Sequence, residues 1–241
     1  MSFEESQRGG GGINNSGSLV LIDTAVTGNT AGFFGGGIIN HGSGTLDMTD
    51  GPVSNNTTGM EGGGINNGGT LTLLRSDLMN NIAEDSGGGL NQWGDGVSVL
   101  TDGQISGNAA EIFGGGIANG GMLTLIDIDI AGNDAGIEGG SIVNWGDAVM
   151  TGCSISGNTS GLVAGGIANT GTLTLDGVTI SGNTALFLGG GIRNSRDLTL
   201  IDTTVTGNTA DTLGHGGGID NHGSLTLLGT SSVVGNSPDD C

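Results

Sequence analysis

The stretch Gly165-Gly166-Ile167-Ala168-Asn169-Thr170-Gly171-Thr172-Leu173-Thr174-Leu175-Asp176-Gly177-Val178-Thr179-Ile180-Ser181-Gly182-Asn183-Thr184-Ala185 holds three short segments of alternating apolar and polar residues. They are 166–169, 172–175 and 178–183. Alternation at a period of two marks a strand with one buried face. Glycines and asparagines separate the segments, so each ends in a turn before a helix could form.

The same unit recurs along the chain. The aliphatic residue that follows its glycine run is Ile13, Ile38, Ile65, Leu90, Ile117, Ile142, Ile167, Ile192 and Ile219, at successive spacings of 25, 27, 25, 27, 25, 25, 25 and 27. Such periodicity is the signature of a solenoid. Aligned, the repeats give aliphatic columns. One runs Leu19, Leu46, Leu71, Val97, Leu123, Ala148, Leu173, Leu198, Leu225, and another Val26, Val53, Leu78, Ile105, Ile130, Ile155, Ile180, Val205, Val233. No repeat can bury its own apolar side, so each must stack on a neighbour. The expected fold is therefore all-β: a right-handed parallel β-helix (β-solenoid) of nine coils of 25–27 residues with three short strands per coil. At a strand spacing of ~4.8 Å the rod would be roughly 43 Å long. Residues 9–236 read as a single β-helix domain, with tails at 1–8 and 237–241.

Two columns are asparagine. The first is Asn15, Asn40, Asn67, Asn119, Asn144, Asn169, Asn194 and Asn221, with Gln92 in the one exceptional place. The second is unbroken: Asn29, Asn56, Asn81, Asn108, Asn133, Asn158, Asn183, Asn208, Asn236. Asparagine suits sharp corners, and stacked carboxamides can bond from coil to coil, so both columns read as structural ladders.

Composition excludes other readings. The 241 residues include 55 glycines, two prolines, no lysine and four arginines, with a formal net charge of −20. Scarce proline argues against collagen, and the charge would repel nucleic acid. No apolar run reaches the ~18 residues of a membrane helix, so insertion of this segment into a bilayer is not expected. The glycine runs lack the lysine and the following helix of a phosphate-binding loop. Cys153, in the place of Val178, reads as a buried apolar residue, and Cys241 as a free thiol.

With 164–185 and 190–210 as its clearest instances, the repeat Gly-Gly-Gly-Ile-x-Asn-x-Gly-Thr-Leu-Thr-Leu followed by Ile-Ser-Gly-Asn-Thr-Ala resembles that of bacterial secreted and surface right-handed β-helix proteins. These include autotransporter passengers and polymorphic outer-membrane adhesins. The likeness covers roughly 9–236, although Gly-Asn-Thr stands where the polymorphic proteins have Phe-x-x-Asn. It implies a non-enzymatic extracellular or cell-surface scaffold: an adhesin segment, or a filament subunit associating head to tail through uncapped ends. A carbohydrate-active or glycan-binding β-helix is the alternative, and an ice-binding protein the third reading.

Polysaccharide lyases on this fold use acidic Ca²⁺ ligands beside a basic residue. Here Asp23, Asp50, Asp102, Asp127 and Asp202 recur at one corner with Arg75 in the equivalent place. Asp102 and Asp127, on adjacent coils, are the candidate calcium ligands; no other cofactor is expected. Gly214-His215-Gly216 resembles one motif of polygalacturonase-type hydrolases, but Asn-Thr-Asp is absent and Asp239-Asp240 follows the last strand. No catalytic residue is assigned.

Two outward features point to binding. Trp93 and Trp145 share the column after the first asparagine ladder, each followed two places on by an acid, Asp95 and Asp147. Indoles beside polar groups suit sugar rings, which makes these four the candidate glycan-binding residues. Phe33, Met60, Ile112, Ile137, Leu162 and Phe187 precede a second apolar or acidic residue near the turn. Alternation lets only one of each pair face inward, so these six are the candidate partner ridge. Paired polar residues such as Thr70/Thr72 and Thr172/Thr174 motivate the ice-binding reading; Val20, Met122 and Val149 interrupt that array.

Overall fold

The computed structural model describes residues 9–211 and 215–241; the expected tail at 1–8 and Gly214 lie outside them. The described chain is all-β and winds as a parallel β-solenoid of about nine turns. Each turn sets its strands beside their equivalents above and below. Ile167 pairs with Ile142 and Ile192, Leu173 with Ala148 and Leu198, and Ile180 with Ile155 and Val205. The sequence columns are thus the hydrogen-bond register, with one correction: Ser98, not Val97, stands buried between Leu71 and Leu123, because the longer 93–96 loop moves the strand along by one residue and turns Val97 outward beside Thr70 and Met122.

Three sheets form, as expected, but the segments divide among them differently. Ile167–Asn169 and its equivalents make a nine-stranded sheet. Thr172–Asp176 and Thr179–Ser181 belong to one sixteen-stranded sheet, and in the strands Val97–Ser106 and Met122–Ala131 the two segments run on without a break. The third sheet is built from two-residue strands such as Thr184–Ala185 that directly follow the second asparagine ladder. Here the prism is narrowest. Its inward residues are small (Ala83, Ala110, Ala135, Ala185), and a Cβ on Gly165 would collide with the Thr184 carbonyl. Glycine is required there because backbone meets backbone.

Inside, the aliphatic columns fuse into one core running from Val26 to Ile219. Each such side chain contributes roughly 1.5–3 kcal/mol when fully removed from water, and only a coil on either side removes it. Cys153 is buried in this core, as its alignment with Val178 predicts. The corner aspartates have a backbone role: Asp23, Asp50, Asp102, Asp127 and Asp202 all hold positive φ between 48° and 57°, Arg75 holds 47°, and Gly152 and Gly177 take over on other turns. A tight left-handed bend explains why only Asp, Gly and one Arg occupy that column.

Both ladders form. In the second, each Oδ1 accepts from the backbone N–H and the Nδ2 of the asparagine before it. Asn133 donates both to Asn158 at 2.9 and 3.0 Å, and Asn158 donates both to Asn183 at 3.0 and 2.9 Å. Asn158 Nδ2 also reaches the Ile130 carbonyl of the preceding coil, so one buried side chain ties three coils together. The 237–241 segment is not a free tail. Asp240 Oδ1 accepts from Asn236 N and Nδ2 at 2.9 and 3.0 Å, standing in for the next ladder asparagine. The Asp239 and Asp240 carbonyls receive Gly218 N–H and Ile219 N–H. Capping of the ladder leaves aliphatic side chains open at this end, with the inward-facing Leu227 50% exposed.

Truncating Asn158 to alanine strands a buried carbonyl and two donors, and should lower unfolding free energy by on the order of 3 kcal/mol or more. Asn55→Gly, at an exposed corner with φ 55°, should cost nothing. Denaturant unfolding of both variants checks this; a loss below ~1 kcal/mol for Asn158→Ala would contradict the ladder's role.

Candidate binding face

Loop length varies along the edge where the first ladder turns into the long sheet. Between paired residues Asn67 and Thr70 this turn has two residues, whereas the equivalent Asn40 to Thr45 and Gln92 to Val97 each have four. The longer loops, 41–44 and 93–96, therefore stand proud of the coil between them. The second one also breaks the ladder. Gln92 is a methylene too long for its place, so Asn67 Nδ2 turns to Ser98 Oγ at 3.1 Å and Gln92 Oε1 is buried without a partner.

Loop 93–96 is the wall between two hollows. On one side lies a depression of about 390 Å³ lined by Phe34, Ile39, His41, Glu61, Asn66 and Trp93. Trp93 is 45% exposed and leans over Gly68, where any Cβ would collide with indole Cζ2. Across the wall is an open depression of about 420 Å³. Glycines 94, 120, 121 and 146 make its floor, and Asp95, Met122, Trp145, Asp147 and Arg196 its sides. Trp145, 42% exposed, is held edge-on by Phe113, with ring centroids 5.6 Å apart and planes at 82°.

The four residues singled out from the sequence are therefore divided. Trp145, Asp95 and Asp147 converge on one hollow, while Trp93 faces the other. Sequence alignment alone put both indoles on one platform; the extra two residues of loop 93–96 separate them. The columns do not bring Phe34, Ile39, Glu61 and Asn66 together with Trp93, because these four come from other columns; His41 shares the column of Trp93, two coils away. The signal that points to them is the pair of 27-residue coils flanking a 25-residue one.

The expected ridge is present in part. Phe33, Ile137, Leu162 and Phe187 are exposed, Met60 and Ile112 are half-buried, and Asp85 interrupts the line. The second residue of each pair does not enter the core. Phe34, Glu61, Ser86, Phe113, Glu138, Val163 and Leu188 pair one above another and, at Phe113, fold back over Val143, Ala164 and Ala168 on the outer face of the first sheet. Positive φ at the following residue (Gly35, Gly62, Gly114, Ala164) directs this fold-back.

At the aspartate corner, Arg75 forks onto Asp50 through Nε–Oδ1 at 2.6 Å and a second N–H to Oδ2 at 2.8 Å. This exposed pair holds the Asp50 carboxyl below its ordinary range and raises the guanidinium. Asp202 is lowered too, by bonds from the Thr230 backbone N–H and hydroxyl. Asp102 and Asp127 lie on adjacent turns of this corner. No group of three or more His, Cys, Asp or Glu able to hold a metal ion occurs among the described residues. Asp239 Oδ1 is occupied by the amides of Gly216 and Gly217, beside His215. On the long sheet, Thr72 pairs with Asp47 and Val99, and Thr124 with Val149, so threonine does not tile that face.

Gly68→Ala should push the Trp93 indole off its bed while leaving the fold intact, shifting tryptophan emission without changing the far-ultraviolet circular dichroism; an unchanged emission spectrum would contradict the placement. No protein-family model matches the chain, and no curated protein or solved structure matches it.

Proposed function

We propose that this chain is a non-enzymatic, extracellular adhesive β-solenoid that recognises glycans on the edge carrying the longer loops. The observation that carries this reading is the convergence of Trp145, Asp95, Asp147 and Arg196 on one glycine-floored hollow. A side-chain-free floor admits a flat ring, an indole supplies an apolar face for its C–H bonds, and carboxylates and a guanidinium bond hydroxyls. Phe113 fixes the indole in advance, so little side-chain freedom is lost on binding. The rigid ladder and core hold these groups on different coils at fixed spacing, as a recognition surface needs. The adhesin reading also draws on the repeat's resemblance to surface β-helix proteins.

A second reading has its own observation. Asp95 and Asp147 share the hollow, and two carboxylates flanking a sugar are the machinery of glycoside hydrolysis. Release of reducing ends from a retained glycan, lost in Asp95→Asn, would replace adhesion with catalysis.

On immobilised acidic and neutral polysaccharides, Trp145→Ala should weaken retention by roughly tenfold or more. Asp147→Asn should weaken it less, and Trp93→Ala should leave it unchanged. Wild-type retention by Trp145→Ala with folding intact would sink the proposal.

A further inference from the structure

The hollow on the other side of the loop has a different chemistry. Its walls are the Trp93 indole, the Phe34 ring and Ile39, its lining is mostly apolar, and Glu61, Asn66 and His41 each have one polar atom already hydrogen-bonded. Asn91 Nδ2 donates to Glu61 Oε2 and to Asn66 Oδ1, both at 3.0 Å, and His41 Nε2 meets Asn14 Oδ1 at 2.7 Å. A mostly apolar lining suits an apolar skin better than the hydroxyls of a sugar. The one charged side chain in its lining is the half-buried Glu61 carboxylate, whose Oε1 has no hydrogen-bond donor among the described residues. Arg75, Arg193 and Arg196 do not line the hollow, and the molecule as a whole carries −20.

An aromatic wall, a desolvated carboxylate and a strongly negative surrounding field select a cation with an apolar skin. We propose that the hollow between loops 41–44 and 93–96 binds a small organic ammonium group, a trimethylammonium above all, stacked on Trp93 and neutralised by Glu61. Methyl groups fill the space against Phe34 and Ile39 without requiring hydrogen bonds, and the diffuse positive charge meets the indole face. Burial, reinforced by Asp85 and opposed by the Asn91 bond, pushes the Glu61 carboxyl above its ordinary range. Its ionised form is therefore costly in the empty hollow, and a cation offsets that cost. The site is independent of the glycan hollow and stands or falls separately from it.

Titration calorimetry with choline, dimethylbutanol (its uncharged carbon isostere) and phosphocholine tests the proposal. Choline should bind about tenfold more tightly than the isostere. Phosphocholine should bind more weakly than choline, because its phosphate meets the acidic field. Glu61→Gln, which keeps the shape and the Asn91 contact, should remove the preference for the charged ligand, and Trp93→Ala should abolish binding with circular dichroism unchanged. Trp145→Ala, in the other hollow, should bind choline normally. Equal affinity for choline and its isostere, tighter binding of phosphocholine than of choline, or no heat from choline at ~10 mM would overturn the proposal.

Discussion

Every feature of this molecule depends on one constraint: each turn of the chain must lie over the last in strict register, so that a buried polar group meets its own copy. The second asparagine column shows why. Asn158 takes two bonds at its Oδ1 from Asn133 and returns two to Asn183, and its Nδ2 also holds a carbonyl of the coil before. A net bond contributes about 1 kcal/mol, but a stranded buried donor or acceptor costs about 1–3. A slip of one residue would orphan a whole column of such groups while turning the leucines outward. The ladder thus selects register and the aliphatic lining supplies the gross driving force. Neither suffices in a single coil.

The columns were legible because the period barely varies and one-residue identity recurs at every turn: Ile167 predicts its partners Ile142 and Ile192 directly. Less legible was the third sheet, since Thr184-Ala185 is too short for alternation to register and is overshadowed by the adjacent Asn183. Alternation misled at the ridge. Phe113 does not point into the core because Gly114, at φ 62°, bends the chain and lays the ring over the outside of the first sheet. The Asp240 cap was invisible for another reason: a single carboxylate replaces a carboxamide oxygen only in three dimensions.

The candidate site was half legible. Residue types gave Trp145, Asp95 and Asp147, but their separation from Trp93 is a matter of loop length. Where the chain departs from its own rule, at Gln92 and the four-residue loops, it leaves a buried unpaired Oε1 and raises a wall between two hollows. Departures of this kind from local rules are where strain and exposed groups collect in an otherwise repetitive fold. The corner aspartates, by contrast, obey a backbone rule and need no ligand to explain them.

The central claim is register, and pairwise cross-linking tests it most directly. In a background with Cys153 and Cys241 replaced by serine, Thr174→Cys with Thr199→Cys places two thiols on directly paired, outward-facing residues of adjacent turns. Thr174→Cys with Ile201→Cys moves one thiol two residues along, to a Cα separation of roughly 8 Å. The first pair should close a disulfide under mild oxidation and the second should not, since Cα atoms beyond about 7 Å cannot be bridged. Ready closure of the second pair, with the first remaining reduced, would contradict the account.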